Sequence, residues 1–125
     1  MKKENRFFNW IKENANNLYL IKIEHSLSVG IPDIMTILNG VINLIELKQI
    51  NSNTLENWGL NKFQRAFHIK HNQAGGRCFI LVNTLKQSEL KLLKLGAGGF
   101  SHILTQPKTR HGLQKILDAI KNYKN

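Results

Sequence analysis

An α/β sandwich around a central mixed β-sheet is the fold class that this sequence predicts, and three observations carry the prediction. Segments of helical and strand periodicity follow one another as helix, strand, hairpin, helix, strand, the order of a layered α/β domain. Asn39-Gly40 separates two β-branched runs and is the strongest short hairpin signal in the chain. A length of 125 residues, 42% hydrophobic and 21% charged, gives a single domain over 1–125 enough material for one core and argues against wholesale disorder.

Residues 4–16 predict a helix, because Phe7, Phe8, Ile11 and Ala15 recur at helical spacing before Asn16-Asn17 ends it. Residues 18–24 are apolar and β-branched and predict a strand. A polar connection over 26–32 contains Gly30 and Pro32, and two strands follow, 33–38 and 41–50, joined by the Asn-Gly turn. After a polar, turn-like stretch over 51–59, a helix is expected over 60–74, with Leu60, Phe63 and Phe67 on its buried stripe and Gly75-Gly76 as its stop. Residues 77–82 predict a short apolar strand. Residues 89–95 alternate imperfectly and fit either strand or helix, while 96–99 form a turn and 101–105 another short strand. Leu113, Ile116, Leu117 and Ile120 mark a final amphipathic helix over 109–123. No internal repeat or linker interrupts this order.

The charge balance points to a polyanionic partner. Lys and Arg number 18 against 8 Asp and Glu, a formal charge of +10, and the cations run from Lys2 to Lys124 rather than forming a detachable tail. Nucleic acid is the commonest polyanion for such a domain, through phosphate neutralisation; the plain alternative is a solvated basic surface kept for solubility. A single cysteine, Cys78, excludes an intrachain disulfide framework and fits a reducing compartment. No signal-peptide core follows the basic start, and no stretch approaches the roughly 20 apolar residues that cross a bilayer, so a soluble, cytoplasmic protein is expected.

The chemistry-bearing feature is Pro32-Asp33, followed thirteen residues after Asp33 by Glu46-Leu47-Lys48. Glu46 stands inside an apolar, strand-forming run, where an ionised carboxylate is costly unless a cation or hydrogen bonds compensate it. Period-two alternation puts Glu46 and Lys48 on one face, and the hairpin returns Asp33 towards that face. Two carboxylates and one ammonium would then converge, which is the inventory for metal-assisted phosphodiester hydrolysis. Hard oxygens from Asp33 and Glu46, with the carbonyl of Leu47, suit Mg²⁺, with Mn²⁺ as a substitute. Lys48 is placed to orient water or stabilise charge in the transition state. The same spacing also fits an ordinary Glu-Lys surface pair, with Asp33 merely opening a strand.

Other residues carry weaker signals. His68 and His71 form, with Gln64, a polar stripe beside the apolar one on the second helix; they suit phosphate contact or plain solvation equally. A zinc site from His25, His68, His71 and Cys78 lacks any paired-cysteine or HExxH element, and Cys78 on an apolar strand reads as buried and inert. Gly96-Ala97-Gly98-Gly99 lacks the Lys-Ser/Thr of a P-loop and reads as a turn. Ser26 and Ser28 suit a loop touching the DNA backbone near Asp33 better than a nucleophile paired with His25. Trp10 and Trp58 read as packing residues, although Trp58 lies in a polar loop where it is able to stack on a base.

Gly30-Ile31-Pro32-Asp33, then Ile45-Glu46-Leu47-Lys48, then a helix containing Gln64 and closing on Ala74-Gly75-Gly76 before an apolar strand, resembles the PD-(D/E)XK nuclease superfamily. The pattern is most similar to small phage nucleases of the VRR-NUC and Holliday-junction-resolvase-like type, over roughly residues 4–83. The resemblance implies a restriction-endonuclease-like fold, a divalent ion held by Asp33 and Glu46, and a catalytic Lys48. It implies an acid on the first helix, for which Glu4 is the best match, ahead of Glu13 and of Glu24 on the following strand. Gln64 matches a helix glutamine often found near such sites. It further implies branched DNA as substrate and a homodimer, since symmetric resolution of a four-way junction takes two active sites. A nuclease acting on linear or single-stranded DNA, and a basic DNA-binding module without catalysis, are the alternatives. Residues 84–125 depart from the family pattern.

Overall fold

The structure is a computed structural model that describes residues 3–23, 30–51 and 56–124, without the side chains of residues 3–5. One six-stranded mixed sheet organises it, with strands β1 (Leu20–Lys22), β2 (Ile34–Leu38), β3 (Val41–Ile50), β4 (Cys78–Thr84), β5 (Glu89–Gly96) and β6 (Gly99–Pro107) lying side by side in chain order. All neighbours are antiparallel except β3 and β4, which run parallel and are joined through helix α2 (Lys62–Gln73). Helices α1 (Lys3–Asn14) and α3 (Arg110–Lys121) cover the face opposite α2. The α/β class with a mixed sheet flanked by helices is therefore as the sequence predicts. Among the described residues no helix is long and apolar enough to cross a membrane.

Alternation distributes the strand residues between two cores. Ile34, Ile45, Leu47, Phe79, Leu81, Leu90 and Leu92 point to one face, where Phe7 and Ile11 of α1 and Leu113, Ile116, Leu117 and Ile120 of α3 cover them. Ile50, Ile80, Val82, Leu93 and Leu95 point to the other and form a smaller cluster with Leu60. The β2–β3 turn has the expected left-handed pair, Asn39 at φ 53 and Gly40 at φ 77, which matches the twist of the flanking strands. Residues 84–125 supply β5, β6 and α3 and so complete both the sheet and the larger core.

One open reading is decided and one expectation needs correction. Residues 89–95, which fitted strand or helix, are strand throughout; Leu90 and Leu92 enter the larger core and Leu93 and Leu95 the smaller one, so burial on both faces blurs the apolar alternation. On α2 the sheet-facing stripe is not Phe63 and Phe67. Phe63 is 49% exposed and Phe67 half-buried, whereas His68 is fully buried. Gln64, His68 and Asn72, spaced four apart, face the sheet because the sheet beneath them offers polar partners rather than a uniform apolar surface. Asn72 joins the two layers: its amide oxygen accepts from the Cys78 N–H at 2.9 Å and its nitrogen donates to the Leu95 carbonyl at 2.9 Å.

Candidate active site

β2 pairs with β3 from Ile34 opposite Ile45, and Asp33 stands one residue before β2, where the same register continued would bring it towards Glu46. Ile34 and Ile45 are buried in the larger core, which sends the next pair to the α2 side of the sheet. The Asp33 carboxylate is fixed by the backbone: its Oδ2 accepts from the Leu47 N–H at 2.8 Å. A strand residue directs its N–H and C=O to the same neighbour, so the Leu47 carbonyl lies along the edge of β3 that Asp33 flanks.

Glu46 is a buried acid at 2% exposure, and Gln64 accounts for much of its accommodation. The Gln64 amide nitrogen donates to Glu46 Oε2 at 3.2 Å, and its oxygen accepts from Lys48 Nζ at 3.3 Å. Lys48 Nζ itself lies 3.9 Å from Glu46 Oε2. The same Gln64 oxygen accepts from the Asn61 N–H at 2.9 Å while the Asn61 side chain accepts from the Gln64 N–H at 2.9 Å, a capping box at the start of α2. The helix cap thus sets the rotamer of the residue that bridges acid and base. Asn61-x-x-Gln64 is legible as a box in the sequence, and it is the signal that would have joined Gln64 to Glu46 and Lys48 rather than to DNA alone.

The donor set fits a hard cation: one carboxylate on β3, a second just before β2, and one backbone carbonyl beside them. Asp33 and Glu46 would hold the ion. Among the described residues no three His, Cys, Asp or Glu side chains form a metal group, so the zinc reading of His68, His71 and Cys78 has no support there. His25 lies outside the described residues, as do Ser26, Ser28 and Glu24. The side chain of Glu4 is likewise outside them, and its helix packs on the face opposite Glu46. Glu13 is exposed on that helix.

His68 does not serve as a DNA contact. It has no exposed surface, and its Nδ1 lies 3.4 Å from Cys78 Sγ. Burial first, and then the neighbouring His71 and Lys48, lower its pKa from 6.5 to about 4, so the ring is neutral at pH 7. Burial first, and then the Glu46 carboxylate, push the Cys78 thiol upward, which keeps it protonated and inert. His71 is half-buried, stacked on Phe67 with ring centroids 5.4 Å apart. Trp58 packs against the smaller core and Trp10 against the larger one. No family model matches this chain, and no curated protein matches it.

Proposed function

We propose that this protein is a Mg²⁺-dependent DNA endonuclease of the PD-(D/E)XK type, with a restriction-endonuclease-like fold, that acts on branched DNA such as four-way junctions. The observation that carries the reading is the Asp33 carboxylate held on the Leu47 N–H at 2.8 Å, next in sequence to Glu46, with Lys48 joined to Glu46 through Gln64. A buried glutamate held this way is a poor stabilising device, because burying the charge costs more than the pair returns unless something further uses it. The net charge of +10 supports a polyanionic substrate.

In this reading Asp33 and Glu46 are the metal ligands, assisted by the Leu47 carbonyl. A bound Mg²⁺ supplies Lewis acidity towards the phosphoryl oxygen and a water of lowered pKa. Lys48 presents its ammonium to the negative charge that develops on the phosphoryl group. Gln64 restrains Lys48 and Glu46 together, so neither has to reorganise during the reaction. A homodimer supplies the two sites that paired cuts in a junction require.

The test compares cleavage of four-way, flap, single-stranded and linear duplex DNA with Mg²⁺. Asp33→Asn, Glu46→Gln and Lys48→Ala are expected to lower the rate by about 10²- to 10⁴-fold, a range typical for loss of one catalytic group. Junction binding in Ca²⁺ should persist within a few-fold. Full activity in these variants removes the site. Binding by the unaltered protein without any metal-dependent nicking replaces the nuclease by a basic binding module.

A further inference from the structure

A cavity of about 360 Å³ opens on the α1 side of the sheet, near the carboxyl ends of the parallel strands β3 and β4. Open α/β sheets place their ligands at such ends. Arg6, Phe7 and Trp10 of α1 line it, with Gln49 of β3, Leu85 just after β4 and Lys108 just after β6. Lys48 and Gln49 are neighbours on β3 that point to opposite faces, Lys48 to Gln64 and Gln49 to the cavity, so the sheet separates this cavity from the candidate active site. Asn83 holds the Gln49 amide, its Nδ2 donating to Gln49 Oε1 at 2.9 Å. Lys108 is held at both ends: its N–H donates to the Ser88 carbonyl at 2.9 Å, and its Nζ lies 5.3 Å from the Trp10 ring centroid, a cation–π contact. Arg6 stands one helical turn before Trp10, on the same side of α1. No acid lines the cavity, and among the described residues neither cation has an ion-pair partner. Two like charges brought together from opposite ends of the chain repel, and an anion between them removes that cost.

We infer that this cavity binds a phosphorylated nucleotide, with the phosphate between Arg6 and Lys108 and the base against Trp10 and Leu85. Arginine offers a planar fork of donors and lysine a compact charge, a pair that suits the dianion of a terminal phosphate. The cavity has more room than a bare phosphate needs and lies within the size range of small-molecule sites. Phe7, Trp10 and Leu85 give the remaining space an apolar wall, and Leu85 is 40% exposed, so a planar base has apolar surface to cover. The Gln49 amide carries both donor and acceptor groups, which suits the edge of a base. A simple carboxylate or inorganic phosphate would use the cations and leave that wall in water. The same chemistry is presented by a free mononucleotide and by the phosphorylated end of a DNA strand. Asp33 and Glu46 lie on the other side of the sheet, so the site stands or falls independently of the nuclease reading.

Titration of the full chain with dTMP, followed by heteronuclear NMR in EDTA at about 0.15 M NaCl, tests this. The indole N–H of Trp10 and the side-chain amide of Gln49 should shift and saturate with a Kd of about 1 mM or tighter, while the indole N–H of Trp58 stays in place. Arg6→Ala and Lys108→Ala should each weaken binding about tenfold or more. Lys12→Ala removes one exposed cation of α1 outside the cavity and should change it less than about twofold. Thymidine and inorganic phosphate should each bind at least about tenfold more weakly than dTMP. A terminally phosphorylated hexathymidylate that binds tighter than dTMP identifies a strand end as the ligand; equal affinity identifies the free nucleotide. No saturable shift up to about 10 mM dTMP overturns the site, as does equal weakening by Lys12→Ala and Lys108→Ala, which would mean attraction by net charge alone. Thymidine as tight as dTMP overturns the phosphate clamp, and inorganic phosphate as tight as dTMP overturns the base contact. Asp33→Asn should bind dTMP as wild type does, and a wild type that binds dTMP but cleaves no DNA keeps this site and removes the proposed function instead.

Discussion

At the scale of single residues, His68 couples the site helix to the sheet through a group that titrates. Its Nδ1 meets the Cys78 thiol on β4, and its Nε2 finds no hydrogen-bond partner among the described residues. Protonating both nitrogens would bury a cation near Lys48 and His71. The folded pKa of about 4 lies below the 6.5 of the unfolded chain, so the unfolded state takes up the proton first. This contribution is fully present above pH 6.5 and is lost as pH falls towards 4. Its size is on the order of 3 kcal/mol. Urea denaturation of wild type and His68→Gln from pH 7.5 to 4.5 isolates it, because the carboxylates are common to both proteins. The wild type should lose about 2–3 kcal/mol more than the variant across that window. Parallel pH profiles would mean that the ring is not held neutral by the fold.

At the scale of elements, the loop before β2 and the first turn of α2 position each other through Gly30. Its φ is +88, and a Cβ there would lie 2.5 Å from the Phe63 carbonyl oxygen and 3.2 Å from the Gln64 nitrogen. That contact ties the segment carrying Asp33 to the turn carrying Gln64. Gly75, at the end of the same helix, has φ +94 but open space around it. Alanine at either position meets the left-handed backbone cost of about 1 kcal/mol, whereas Gly30→Ala must also displace α2 and should cost about 2–4 kcal/mol. Thermal melts and cleavage rates should therefore place Gly75→Ala near wild type and Gly30→Ala well below it; equal losses would show that the contact seats nothing. The fold was legible where the signals are local: Asn39-Gly40 and the apolar spacing of α3 needed no tertiary knowledge. The β2–β3 register that returns Asp33 towards the Glu46 end of β3 was legible for the same reason, through period-two alternation and a hairpin. The facing of α2 was not, because its inward stripe is Gln64, His68 and Asn72 and apolarity alone turns the helix towards Phe63. Arg77 was missed as well: its guanidinium reaches the carbonyls of Ile120 and Tyr123 and the side chain of Asn43, contacts that only the assembled layers create.

At the scale of the whole molecule, 18 basic residues against 8 acidic ones leave a net +10 even if every acid were paired. Much of that excess must face solvent, because the buried charged side chains are few and Lys48 and Arg77 are already engaged by partners. A surface of this kind draws in a polyanion by releasing its condensed counterions, so affinity follows salt with a slope of about −0.9 per duplex phosphate neutralised. Roughly five such contacts predict a loss of about 10²- to 10³-fold in junction affinity between 50 and 200 mM NaCl. Fluorescence anisotropy in Ca²⁺ measures this without turnover. Lys48→Ala should change the slope by at most about one, because its ammonium is one cation among many for binding, while on the proposed nuclease function it should remove cleavage. Salt-insensitive junction binding would mean that the positive charge serves solubility and not a nucleic-acid surface.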